Sequence, residues 1–196
     1  MDEVRGLNWY IMRGNHDDRY WEKYSKKAAN RVKGYSFDKD GYVVKDTAPT
    51  VHYLRDGGGY IEDIGVFYVP GAYSVDRYYR KSIGAYWNPD ELLYGTEKCI
   101  LLSKLKGLLE DGVKPKAIVS HTCPLSWEDR ISDLFLAKVD QSSVDKSQEE
   151  FLDDVLEAVQ EKVPDYKWYF GHYHDDREVV DGHAYMLYDK PAVIED

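Results

Sequence analysis

The sequence predicts a single α/β domain, and three observations predict it. Two amphipathic helices are each followed by a short apolar strand. Each of those strands runs into a histidine-bearing loop. The remaining chain reads as short strands punctuated by glycine turns. Helix, strand and then a chemically loaded loop is how an α/β sheet carries a site at its strand ends. A length of 196 residues suits one domain with a sizeable core.

Taken in order, residues 8–12 read as a short buried strand delivering a turn at residues 13–18. A polar stretch, helical or irregular, follows to about Lys33. Strands are expected at residues 41–45, 50–55, 59–64 and 65–70, with Asp56-Gly57-Gly58-Gly59 as a hairpin turn between two of them, since glycine takes positive φ freely. Residues 71–80 read as a loop. A helix is predicted over residues 96–110, with Ile100, Leu101, Leu105, Leu108 and Leu109 as its buried stripe and Asp111-Gly112 as its stop. A second spans residues 147–163, opening on a Ser147/Glu150 capping box and burying Phe151, Leu152, Val155, Leu156 and Val159. Strands at 116–119 and 166–170 follow these helices. Residues 177–188 are expected to form two closing strands around Asp181-Gly182.

Composition narrows the function. Apolar residues make up 43% and charged residues 32%, as in a soluble globular protein. The formal charge of −10 disfavours general nucleic-acid binding, so any phosphate site must be locally positive. Eighteen tyrosines indicate a core with a wet edge, or a contact surface. With two cysteines, no apolar leader and no membrane-length run, the expected location is the cytoplasm, with no membrane partner.

Three segments carry candidate chemistry: Gly14-Asn15-His16-Asp17, Ser120-His121-Thr122-Cys123-Pro124 and Gly171-His172-Tyr173-His174. Amide oxygens and imidazole nitrogens are ligands for borderline divalent metals. If the His-x-His pair lies on a strand, both rings share one face. Arg13, Arg77 and Arg80 are candidates for a substrate phosphate, because a guanidinium fork matches phosphate oxygens; surface ion pairing is the alternative reading. His52 and His183 read as packed or surface histidines, Cys123 as a small buried residue, and Gly57–Gly59 as a turn without the spacing of a phosphate loop.

In order and placement the three segments resemble the third, fourth and fifth signature blocks of the calcineurin-like metallophosphoesterases. The stretch from Pro70 through Tyr73 to Arg77 is similar to one in bacterial and phage members. So is Val144-Asp145-Lys146-Ser147 leading to Trp168-Tyr169-Phe170-Gly171. The resemblance implies a sandwich of two mixed β-sheets flanked by helices. It also implies a cytoplasmic hydrolase attacking phosphomonoesters or phosphodiesters with a metal-activated water, and two divalent ions (Mn, Fe or Zn). By the family pattern Asn15, His121 and His172 hold one metal and His174 reaches the other. His16 is the catalytic proton donor, and the partner is a phosphorylated protein or small molecule.

The sequence departs from the pattern at its start. The family's Asp-x-His and Gly-Asp-x-x-Asp blocks belong before residue 8 and are not there; residues 1–7 resemble the tail of the helix preceding the third block. The expectation is one N-terminally truncated domain over residues 1–196, holding either the family's two ions with other residues recruited or a single ion on Asn15, His121 and His172. Asp17, Asp18, Asp175 and Asp176 are either recruited ligands or turn acids. A missing strand would leave a sheet edge open to self-association. The alternative function is a weakly active or inactive phosphatase-like chain serving as a metal-binding or protein-interaction module.

Overall fold

The computed structural model describes residues 7–85, 88–135 and 139–194. It is an α/β structure of two mixed sheets flanked by helices. The smaller sheet holds four strands: β1 (Trp9–Ile11), β2 (Tyr35–Phe37), β3 (Val43–Lys45) and β4 (Ala48–Tyr53). Their order is β1-β4-β3-β2, with β1 parallel to β4 and the other pairs antiparallel. Helix α1 (Tyr20–Ala29) packs against this sheet through tyrosines. The Tyr24 ring stacks on Tyr20 and Tyr35, and meets Tyr53 edge-on. Lys27 and Lys45 ammonium groups lie 5.3 and 5.4 Å from the Tyr24 centroid. Four of the eighteen tyrosines are thus spent on a half-buried, cation-capped layer, where a ring with a polar tip suits both sides.

The larger sheet has six strands. They are β5 (Gly59–Ile61), β6 (Val66–Val69), β7 (Ala117–Ser120), β8 (Trp168–Phe170), β9 (Arg177–Val180) and β10 (Ala184–Met186). In the order β5-β6-β7-β8-β10-β9, the inner four are parallel and the outer two antiparallel. β6 and β8 are buried at every position, as strands covered on both faces must be. One face carries Phe67, Val69, Ile118, Trp168, Phe170 and Met186. These pack with Leu101, Leu105 and Leu109 of α3 (Gly95–Glu110) and Phe151, Leu152, Val155 and Val159 of α4 (Ser147–Lys162). A smaller apolar cluster of Tyr42, Leu54, Ile61 and Tyr68 joins the two sheets.

Five local expectations are corrected. Residues 56–59 do not close a hairpin, because β4 and β5 belong to different sheets; the turn carries the chain from one to the other. Gly58 there has φ +84°, and a Cβ would meet the Tyr68 carbonyl at 2.9 Å, so the crossing is too tight for a side chain. Strand β2 was not anticipated, and the 71–80 loop ends in helix α2 (Arg77–Ser82). Ile100 is 70% exposed and leaves the buried stripe of α3 to Leu101, Leu105 and Leu109. The Ser147/Glu150 capping box does not form, since Ser147 is already helical and its N–H donates to Asp145 Oδ1 at 3.0 Å. Among the described residues no helix is long and apolar enough to cross a membrane.

Candidate functional site

Three strand ends deliver the three motifs to one place, one from the smaller sheet and two from the parallel pair β7–β8 of the larger. β1 leads into Gly14-Asn15-His16, β7 into His121, and β8 into His172-Tyr173-His174. Gly14, Asn15, His16, His121, His172 and His174 all line a single cavity of about 520 Å³.

Asn15 and His121 are in direct contact: His121 Nε2 lies 2.8 Å from Asn15 Oδ1. The Asn15 amide nitrogen donates to Ser74 Oγ at 2.9 Å, which turns its oxygen to the ring. The ring N–H therefore donates to Oδ1, the tautomer being set by the amide's orientation. The His172 ring stands edge-on to His121, with centroids 5.1 Å apart. Burial, followed by the repulsion of His16 and Arg13, pushes the His121 pKa down to about 4. Burial, followed by neighbouring His121 and His16, takes His172 down to about 3. Both imidazoles are therefore neutral at physiological pH, the form that coordinates metal.

The close approach of Gly14 to His121 has a steric reason. A Cβ there would lie 2.8 Å from His121 Cε1, so any side chain at residue 14 would push the ring aside. Asp17 Oδ2 accepts from the Gly14 N–H at 2.7 Å and closes the turn.

His16 is exposed at the cavity, its Nε2 3.5 Å from both Asn15 Nδ2 and Arg80 Nη2. His174 is also exposed and stacks on Tyr188. The His-x-His pair is not on a strand. β8 ends at Phe170, and His172 and His174 have φ of +74° and +58°. Their rings are placed by two left-handed residues rather than by strand alternation, and backbone strain of this kind gathers at functional loops.

The three arginines separate. Arg80 reaches His16 while its Nε pairs with Asp76 at 2.6 Å. Arg77 lies over the Tyr73 ring at 3.7 Å and faces Glu91. Arg13 is 3% exposed and donates to the carbonyls of Asp56, Glu91 and Leu92. It is a framework residue behind the cavity, because its guanidinium is spent on satisfying buried backbone oxygens. The flanking acids serve turns and ion pairs: Asp18 holds Lys23, Asp175 holds Arg177, and Asp176 accepts from the N–H groups of Tyr188, Asp189 and Lys190. Among the described residues, no group of three or more His, Cys, Asp or Glu side chains gathers closely enough to hold a metal.

Outside the motifs lies a network that sequence reading missed. Glu149, 4% exposed in the first turn of α4, accepts from Thr122 Oγ1 at 3.0 Å. Thr122 Oγ1 is 2.9 Å from the Tyr173 hydroxyl, and Cys123 Sγ lies 3.6 Å from that hydroxyl. The chain Tyr173–Thr122–Glu149 thus ties the loops after β7 and β8 to one helix end. Among the described residues the second Glu149 oxygen is buried without a partner, and burial pushes this carboxyl up to about 7. Beside it, fully buried Gln148 bonds to Pro70 O and Leu93 N. In sequence both read as ordinary polar first-turn residues; their only signal was adjacency to the motifs once folded. His52 pairs with Asp38, His183 stacks on Tyr166, and Cys123 is fully buried.

Compared with known proteins, the chain matches no protein-family model, no curated protein and no solved structure.

Proposed function

We propose that this cavity is a metal-assisted phosphoester hydrolysis centre acting on phosphomonoesters. The observation that supports this most is the meeting of Asn15 Oδ1, His121 Nε2 and the His172 ring at one cavity that His16 also lines. Two neutral imidazoles and an amide oxygen fit one divalent ion with solvent in its open positions. His174 lines the same cavity and stacks on Tyr188, and the proposal is for one ion on Asn15, His121 and His172. When bound, such an ion polarises a phosphoryl oxygen and lowers the pKa of coordinated water.

The residues of the chain do the rest. His121 moves its ring proton to Nδ1 so that Nε2 can coordinate. Arg80 adds positive charge for the phosphate in a chain of net charge −10. A water oxygen bonds to phosphorus as the phosphorus–ester oxygen bond breaks. His16 gives the departing oxygen a proton and regains one from the attacking water. The products are the alcohol and inorganic phosphate, with charge and protons conserved.

Elemental analysis of protein loaded with Mn²⁺ or Zn²⁺, followed by phosphomonoester turnover, tests the proposal. One ion per chain is expected, lost in His172→Ala. His16→Ala should keep the ion and lower the maximal rate 10²-fold or more, on the order of general acid catalysis. Equal metal loss in both variants, or a wild-type chain that takes no metal, overturns the assignment.

A further inference from the structure

The same cavity also has an apolar lining. Val75, Leu134, Phe135, Val144, Tyr173 and Tyr188 contribute to it, with Tyr173 beside His172 at 5.0 Å. Phe135 and Tyr173 rings are 6.2 Å apart and tilted by 36°. Tyr188 extends this wall over His174 at 5.0 Å.

Most polar groups that line the cavity alongside this wall are already engaged; Glu149 keeps one buried oxygen without a partner among the described residues. Lys146 Nζ donates to Glu128 Oε1 at 2.7 Å and to Gln141 Oε1 at 3.4 Å, while lying 5.2 Å from the Phe135 centroid. Asp17 Oδ2 is taken by the Gly14 N–H and Asp76 Oδ2 by Arg80. An alcohol rich in hydroxyls would trade its water for a wall that offers few partners. An apolar ring would gain burial and edge contacts with Phe135 and Tyr173. Buried hydroxyls left unpaired penalise a ligand far more than a missing methylene does.

We infer that the substrate of this site is a small phosphomonoester whose alcohol carries an apolar, ring-bearing group, with Phe135 and Tyr173 setting the preference over sugar and polyol phosphates. The inference rests on the phosphoester reading above.

The test compares 2-phenylethyl phosphate with glycerol 3-phosphate on the metal-loaded chain. Both leave through a primary aliphatic oxygen, so intrinsic reactivity does not decide the outcome. A kcat/KM at least tenfold higher for the phenylethyl ester is expected, falling severalfold in Phe135→Ala and less in Phe135→Leu. Equal values, or a preference for glycerol 3-phosphate, overturn the inference while leaving phosphoester hydrolysis in place. The non-hydrolysable 3-phenylpropylphosphonate and 3,4-dihydroxybutylphosphonate, titrated by calorimetry, give a readout independent of turnover. If neither ester is hydrolysed, the phosphoester reading fails. Tighter binding of the phenylpropyl compound would then still support the apolar subsite, and equal binding would remove it.

Discussion

Gly14 and His121 are 107 positions apart in sequence, yet a single added methyl at residue 14 would stand 2.8 Å from the imidazole Cε1. The backbone of one motif is the floor on which the ring of another rests. That contact brings Nε2 within 2.8 Å of Asn15 Oδ1.

Gly14→Ala is therefore expected to leave the fold intact and displace the His121 ring from Asn15. The ring is the movable partner, so stability should change by no more than about 1 kcal/mol. Affinity for Mn²⁺ or Zn²⁺ should fall at least tenfold in a competition titration. Unchanged affinity would mean that the ring position is immaterial to any ion.

Thr122→Val removes the hydroxyl that links Tyr173 to Glu149. It takes from Glu149 Oε1 the hydroxyl donor that Oε2 already lacks and should cost about 1–3 kcal/mol in urea unfolding. Glu149→Gln keeps the acceptor and should cost less than Thr122→Val. If Glu149→Gln is the more damaging, the carboxyl has a role beyond accepting this bond.

Stability should fall as the solution is acidified below about pH 6.5. In the folded chain His121 and His172 stay neutral down to about 4 and 3, whereas both unfolded rings take a proton below the ordinary histidine value of 6.5. Glu149 acts in the opposite sense. Its folded pKa of about 7 exceeds the ordinary 4.5, so its contribution is present at low pH and lost as pH rises toward 7. Between pH 6.5 and 4.5 these groups bind two protons in the unfolded chain and one in the native. The net loss is about 1.4 kcal/mol per pH unit of acidification. Glu149→Gln should steepen the slope to roughly twice that value. A slope unaltered by that change would show that Glu149 does not titrate in this window.

Leu105 is fully buried between α3 and the large sheet, while Ile100 on the same helix is 70% exposed. Leu105→Ala should cost about 2–5 kcal/mol in chemical denaturation. Ile100→Ala should stay within about 0.5 kcal/mol. Similar losses at both positions would restore Ile100 to the buried stripe.

The local pattern of residues was enough to determine α3, α4, the strands that follow them and the closing pair β9–β10. Each is written in periodicity or turn chemistry over a few neighbouring residues. The gathering of His121 and His172 was legible because each motif sits just beyond a strand. The parallel pair β7–β8 places His121 and His172 at one end of the larger sheet, while Asn15 comes from β1 of the smaller sheet, a meeting that only the packing of the two sheets decides. Tertiary structure alone decided the rest. Whether Asp56–Gly59 closes a hairpin or crosses between sheets depends on which strands find partners, and partners lie outside any local window. Arg13 and Glu149 are polar residues whose burial follows from what packs over them. Of the three arginines, folding carried one beneath the cavity and left another beside His16. A guanidinium on paper has no side of a sheet until the chain has chosen one.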